Sequence, residues 1–307
     1  MIPVAFLASV ILFILLKLTP GDPVLILLGE RATAENYDAL RHDLGLDDPY
    51  PVQYVRWISH VAQGDLGKSI RNGGPVRDEI ASRVPATFQL GLVALVLGLV
   101  IAVPLGILSA VFRRSAVGFA ATAFTQVGVA LPGFFIGLVL IYVFALQLGW
   151  FPPGSYTVFT ENPGEWLRRI ILPAVTLSLF GAATQTRFIR SGLLDTLHQD
   201  YIRTARAKGF AESTVILRHA LRNGLIPSIT FLGLQVGAIL EGAFIVESVF
   251  AWPGIGRLAV QSLGARDYPT VQGVVLLAVF VFLFANLLVD IAYAYLDPRI
   301  SFSGGSR

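Results

Sequence analysis

Residues 187–224 read RFIRSGLLDTLHQDYIRTARAKGFAESTVILRHALRNG, a basic, helix-forming stretch between two apolar segments. Phe188, Ile189, Leu193, Leu194 and Leu197 share one helical face, so the apolar segment before them is expected to run on as an amphipathic cytoplasmic helix. Residues 200–208 read as a second short helix with Asp200 placed to cap it. Gly209 is suited to end that helix in the left-handed conformation. Ser213 is placed to cap a third helix over residues 214–222. Tyr201, Ala205 and Lys208, at i, i+4 and i+7, are expected on one exposed face that suits docking into a protein groove. A polar helical hairpin pinned to the membrane at both ends points to a cytoplasmic partner. The bland alternative is a solvated loop whose arginines serve topology alone.

Outward from this loop the chain is lipid-soluble. Of 307 residues, 54% are hydrophobic and only 14% charged, with a mean hydropathy of +0.68. Soluble domains carry about a quarter charged residues, so the composition indicates an integral membrane protein. No cysteine is present, which excludes disulfides, thiolate chemistry and cysteine metal sites. The net charge of +3 is small, and its distribution is more informative.

Six apolar windows are long enough to span a bilayer: residues 2–18, 88–112, 119–148, 170–186, 225–249 and 271–296. The third is too long for one straight span, and Leu131-Pro132-Gly133 is expected to break it. With the N-terminus inside, the cytoplasmic loops and tail hold eleven basic residues, and the short outer loops hold four (Arg168, Arg169, Arg257 and Arg266). The positive-inside rule then places both termini in the cytoplasm. The expected fold class is all-α, a polytopic membrane protein with about six transmembrane helices. Its expected divisions are a first span (1–19), an extracytoplasmic cap (20–85), a five-helix core (86–300) holding the 187–224 loop, and a tail (301–307). The cap is expected to contain amphipathic helices over residues 35–44 and 52–62. A second outer loop is expected over residues 149–169. The first segment lacks a basic n-region and a small-x-small cleavage site, which argues against a secretory signal. The absence of a basic residue before Lys17 places the expected natural start upstream of Met1.

Several chemical readings fail on their residues. Gly67-Lys68-Ser69 is a fragment of a phosphate loop, but Ala62 stands where the pattern needs its first glycine and no strand precedes it. The chain therefore carries no visible ATPase of its own. His42, His60, His198 and His219 are scattered, with no HExxH, so no metal site is expected. No Gly-x-Ser-x-Gly occurs, and no catalytic residues are assigned. The helix–glycine–helix of residues 200–222 is tied to the bilayer at both ends, which argues against nucleic-acid binding. Three acids lie in or near spans: Glu241, Glu247 and Asp290. Intramembrane charge is costly and faces protein or water. Glu241 is the deepest, and is the candidate for lining a translocation path or for bonding a neighbouring helix. Gly133-x-x-x-Gly137 and Gly233-x-x-x-Gly237 offer close helix packing.

The loop resembles the ATPase-coupling loop of ABC-importer permeases. Arg203-Thr204-Ala205 stands at that family's Glu-Ala-Ala triplet and Gly209 at its glycine, while His219, Leu221 and Arg222 stand at its Ile, Leu and Pro. The missing Glu and Pro match the peptide/nickel subfamily, whose loop is similar to Asp200 through Gly209 followed by His219 through Asn223 here. Further similar pieces run in order along the chain. They include Leu18-Thr19-Pro20-Gly21-Asp22-Pro23, Gly64-Asp65-Leu66-Gly67 with Ser69, Leu172-Pro173-Ala174, Glu247 with Pro253-Gly254-Ile255-Gly256, Asp267-Tyr268-Pro269 and Asp297-Pro298-Arg299. The long loop after the first span resembles the "B" subunit of dipeptide and oligopeptide permeases.

This resemblance implies a type I ABC-importer permease fold in the bacterial or archaeal inner membrane. It implies half of a pore for peptides or a related small solute, paired with a homologous "C"-type permease. Two cytoplasmic ATPase subunits carrying ATP and Mg²⁺ would be coupled through Asp200, Tyr201, Arg203, Thr204, Ala205, Lys208 and Gly209. An extracytoplasmic substrate-binding protein would deliver cargo, and the chain itself would hold no cofactor. The rival reading is a stand-alone secondary transporter or channel, for which neither an inverted repeat nor paired broken helices is visible.

Overall fold

The computed structural model describes residues 2–18, 23–28, 33–43 and 45–296. The expected exit turn at residues 19–22 lies outside them, as do the Asp297-Pro298-Arg299 motif, the tail beyond it and the side chain of Asp290. Among the described residues every regular element is helical, beside one isolated bridge between Lys68 and Pro75.

The chain divides into two compact units, one of Met1–Pro85 with Arg257–Leu283, the other of Ala86–Gly256 with Phe284–Arg307. In the first, α1 (Ile2–Leu18), α2 (Pro23–Leu28), α3 (Ala34–Asp43) and α4 (Tyr50–Ala62) precede the long helix α5 (Val76–Val111). The two expected cap helices correspond to α3 and α4. α4 contacts α1: the Tyr54 ring lies 5.6 Å from that of Phe13, and its hydroxyl lies 2.8 Å from the Ser9 hydroxyl. Lys17 donates to Gln53 Oε1 at 2.6 Å, so the polar groups of α1 find partners on α4. The Gly67-Lys68-Ser69 fragment forms a structural loop. Gly67 holds φ +81°, and Asp267 Oδ1 accepts the Ile70 N–H at 3.0 Å while its Oδ2 accepts the Ser69 and Thr270 hydroxyls.

The second unit holds the core. α6 (Ala116–Ala130) and α7 (Gly133–Leu140, continued as a π-helical segment Ile141–Gln147) are bent by 108° at the expected proline. Pro132 drives Leu131 into extended backbone (φ −88°, ψ 133°), which ends α6. α8 (Pro163–Leu197) is one 35-residue helix, so the fourth span does run on into the amphipathic segment that follows it. It also begins earlier than expected: the outer loop ends at Asn162, not Arg169. The cause is local, since Asn162 accepts the Glu165 N–H at 3.0 Å and Pro163 is pre-set for the first helical position. α9 (Asp200–Ala207), α10 (Glu212–Thr214), a π-helical segment (Val215–Ala220) and α11 (Leu221–Gly224) form the segment that follows α8. α12 (Ile226–Val249), α13 (Ile255–Gly264) and α14 (Tyr268–Leu296) complete the chain.

Within this unit Leu90, Ala94, Ile170, Ala174, Ile239, Ala243, Phe250 and Trp252 form a buried core among α5, α8 and α12. Gly137 lets α7 approach that core, since a Cβ there would already touch Phe250 and Thr176. Elsewhere large apolar side chains point outward, among them Phe6 and Ile11 on α1, Val96 and Val100 on α5, and Phe280 and Phe284 on α14. Such surfaces suit lipid rather than water. Val76–Val111, Pro163–Leu197 and Tyr268–Leu288 are each long and apolar enough to cross a membrane. Two further spans result if each bent helix pair counts as one. The 17-residue α1 stands at the short end of the same range.

Candidate functional site

The segment from α9 to α11 is a folded platform. Leu193 of α8, Ile202 and Ala205 of α9, and Val215 and Ala220 of the following helical stretch bury together against Ala110 at the end of α5. The path back is narrow: a Cβ on Gly192 would strike the carbonyl oxygen of Gly224, so α8 and α11 meet through two glycines. α9 is thereby anchored by one face and presents the other.

The predicted site residues divide between those faces. Tyr201, Arg203, Thr204, Lys208 and Gly209 are exposed. Ala205 is not: it is 6% exposed and packs inward with Ile202, which corrects the expectation that Tyr201, Ala205 and Lys208 share an outer face. A small alanine lets α9 seat closely on its neighbours, and burial claims it. Asp200 is not the cap either. Gln199 takes the capping position with extended backbone (φ −73°, ψ 149°) and makes no side-chain cap bond. Asp200 occupies the first helical position and pairs loosely with Arg203 at 3.4 Å. Ser213 likewise lies inside the next helix, whose N-cap is Ala211, because that helix starts at Glu212. Gly209 does hold the expected left-handed conformation (φ +79°), and open space surrounds the place where a Cβ would stand.

Sequence reasoning missed three contributors. Asn223 donates to the Tyr201 hydroxyl at 2.8 Å and fixes that ring from α11. Glu212 accepts two bonds from the Arg206 guanidinium, at 3.0 and 2.6 Å, which closes the turn around Gly209. That pairing holds the Glu212 carboxyl below its ordinary range and raises the Arg206 guanidinium. Phe210 stands exposed beside Gly209, with its ring 5.5 Å from that of His219. An aromatic directly after a turn glycine was the one signal available for it. The exposed face of α9 and its turn therefore combines aromatic, cationic and hydroxyl groups on a rigid base. No group of three His, Cys, Asp or Glu among the described residues could hold a metal ion.

Glu241 is exposed on α12. It does not line the apolar cavity bounded by α7, α8 and α12. Glu247, one helical turn and a half further on, is fully buried instead.

Residues 102–302 match the family described as binding-protein-dependent transport system inner membrane component, and residues 1–91 match the N-terminal region of such components. The oligopeptide transport system permease protein AppB of Bacillus subtilis (strain 168) is 41% identical over 304 residues, covering 98% of this chain and 96% of that protein. The glutathione transport system permease protein GsiC of Escherichia coli (strain K12) is 40% identical over 302 residues, with the same coverage of 98% and 96%. Among solved structures, an inward-facing form of the MetNI methionine ABC transporter aligns with TM-score 0.60 and 16% identity, covering 71% of this chain and 96% of that one. An amino acid ABC transporter aligns with TM-score 0.52 and 17% identity, covering 71% and 94%. At such identities these two likenesses speak to the fold.

Proposed function

We propose, for a chain that belongs to the family of binding-protein-dependent transport system inner membrane components, that α9 is its ATPase-docking element and that its cargo is a peptide or a related small solute. The chain is a permease subunit of an ABC importer and a multi-pass membrane protein. The observation that carries the docking assignment is the division of α9: Ile202 and Ala205 are locked into a buried cluster while Tyr201, Arg203, Thr204 and Lys208 stand exposed. A rigid element presenting an exposed face can transmit motion in both directions between ATP hydrolysis and the spans, as coupling between distant sites requires.

In this reading Tyr201 and Phe210 supply the apolar contact and Arg203 and Lys208 the charge. Gly209 provides a flat exit where a side chain would collide with the partner. The assembly would hold a homologous "C"-type permease, two ATPase subunits that bind ATP and Mg²⁺, and an extracytoplasmic binding protein. Both termini would lie in the cytoplasm, as the eleven-to-four distribution of basic residues supports. The peptide cargo is supported by relatives whose names assign them oligopeptide and glutathione transport.

The experiment is Gly209→Arg in the complete importer, read by solute uptake and by recovery of the ATPase subunits with the permease. The expected result is an inserted permease with uptake lost and ATPase association weakened. Undiminished uptake would remove the docking assignment.

A further inference from the structure

A cavity of about 520 Å³ lies within the second unit, walled mainly by apolar groups of α7, α8 and α12 and by the Leu131-Pro132 break. Its volume is in the range of small-molecule sites. Besides Thr176, whose hydroxyl donates to the Leu172 carbonyl at 2.8 Å, two polar features interrupt the apolar wall. The first is Gln235, which is 3% exposed and whose Oε1 has no hydrogen-bond partner among the described residues. Its carboxamide lies flat against Gly181, another wall residue, where any Cβ would collide with it. A buried carboxamide oxygen left without a partner among the described residues costs free energy that simple packing would have removed, since a leucine fills similar space. The second is the first turn of α7. Gly133 and Phe134 belong to the wall, and no side chain caps the amides of that turn. A broken helix within a membrane directs the positive end of its dipole at the break.

We propose that this cavity is a recognition subsite on the translocation path, where the Gln235 carboxamide pairs with a peptide bond of the solute and the first turn of α7 receives its carboxylate. The proposal rests on the peptide reading above and deepens it. A carboxamide and a peptide unit each offer one N–H side and one C=O side, so they are mutually complementary whichever way the side chain turns. The few polar groups and the apolar remainder of the wall make the contact specific but weak, as passage requires.

The test uses the complete importer in lipid vesicles with ATP inside the lumen that faces the ATPases. Alanylglycine and alanylsarcosine, together with tripeptides extended by one alanine, are offered as a mixture and counted by mass spectrometry. In each sarcosine compound the bond to sarcosine lacks its N–H. The same binding protein serves every variant, so a change in the ratio between the two kinds of compound reports the permease. Gln235→Leu is expected to reduce the preference for unmethylated over methylated peptides about tenfold, the worth of one buried hydrogen bond, with ATPase recovery unchanged. Ala238→Phe, which fills the cavity from an exposed wall position, is expected to slow uptake of both kinds alike.

A wild-type ratio in Gln235→Leu would overturn the subsite while leaving the peptide reading intact. Undiminished uptake by an assembled Ala238→Phe complex would overturn it as well, and would assign the cavity to a lipid chain. A wild-type complex that assembles and hydrolyses ATP yet imports none of the peptides would overturn the peptide reading, and the subsite with it.

Discussion

Thr87 donates a 2.6 Å hydrogen bond to Glu247 Oε1, and both side chains are buried. The same hydroxyl oxygen accepts the Ile255 N–H at 2.8 Å. Trp252 Nε1 donates to the Ala86 carbonyl at 2.9 Å, Gly254 is pressed so closely on Glu247 that a side chain there would collide with it, and a side chain on Gly256 would collide with the Phe244 backbone. A carboxyl group in an apolar bundle thus organises the Trp252-Pro253-Gly254-Ile255-Gly256 turn that follows α12. Thr87→Val should remove both bonds and take away the acceptor of the Ile255 N–H, lowering stability by about 1–3 kcal/mol, while Thr87→Ser should retain most of it. Thermal unfolding of the detergent-purified protein measures both, and an unchanged midpoint in Thr87→Val would refute the role.

Asp267 plays the corresponding part in the first unit, where it accepts from Ser69, Ile70 and Thr270. Asp267→Ala should cost about 2–5 kcal/mol by stranding buried donors, and Asp267→Asn should cost less because one acceptor remains. Limited proteolysis at residues 64–75 should accelerate in the alanine variant. Wild-type resistance there would count against the contact.

Gly192→Ala should push α11 away from α8, because its Cβ would meet the Gly224 carbonyl. Overpacking of this kind costs about 1–3 kcal/mol. The expected sign is faster amide hydrogen exchange over residues 200–224 with the rest of α8 unaffected. Exchange rates equal to wild type would show that the crossing can relax.

Acidification should loosen the turn around Gly209. The Glu212 carboxyl is held below its ordinary range by Arg206, so its contribution is complete above the unfolded value of about 4.3 and is lost as pH falls through the lower folded value. The pair is solvent-exposed, so the effect is small and salt-sensitive. Amide exchange at residues 206–212 reads it, and Glu212→Gln should abolish the pH dependence. A dependence that survives that substitution would assign it to another group.

Glu241→Gln should change the uptake rate several-fold if this exposed carboxylate faces the path, with assembly intact. An unchanged rate would return Glu241 to a packing role.

Much of the architecture is written in local pattern. Long apolar windows, the proline at position 132 and the alternation of basic loops specify a helical membrane protein and the break in its third span, because burial in lipid and the missing proline N–H act on neighbouring residues alone. The helical hairpin is legible for the same reason: Gly209 adopts the left-handed turn that its place after α9 calls for. The order of motifs identifies the family. Long-range contacts assign the inward and outward faces of a short helix. Ala205 is buried because α5, α8 and the Val215–Ala220 stretch converge on it, and an eight-residue helix has too few turns for its own periodicity to say which face they cover. The partners of Glu247, Asp267 and Tyr201 lie 160, 198 and 22 residues away along the chain. The cavity beside Gln235 likewise exists only where three helices meet. Such pairings depend on the geometry of closed space, and nothing in the residues flanking each partner encodes them.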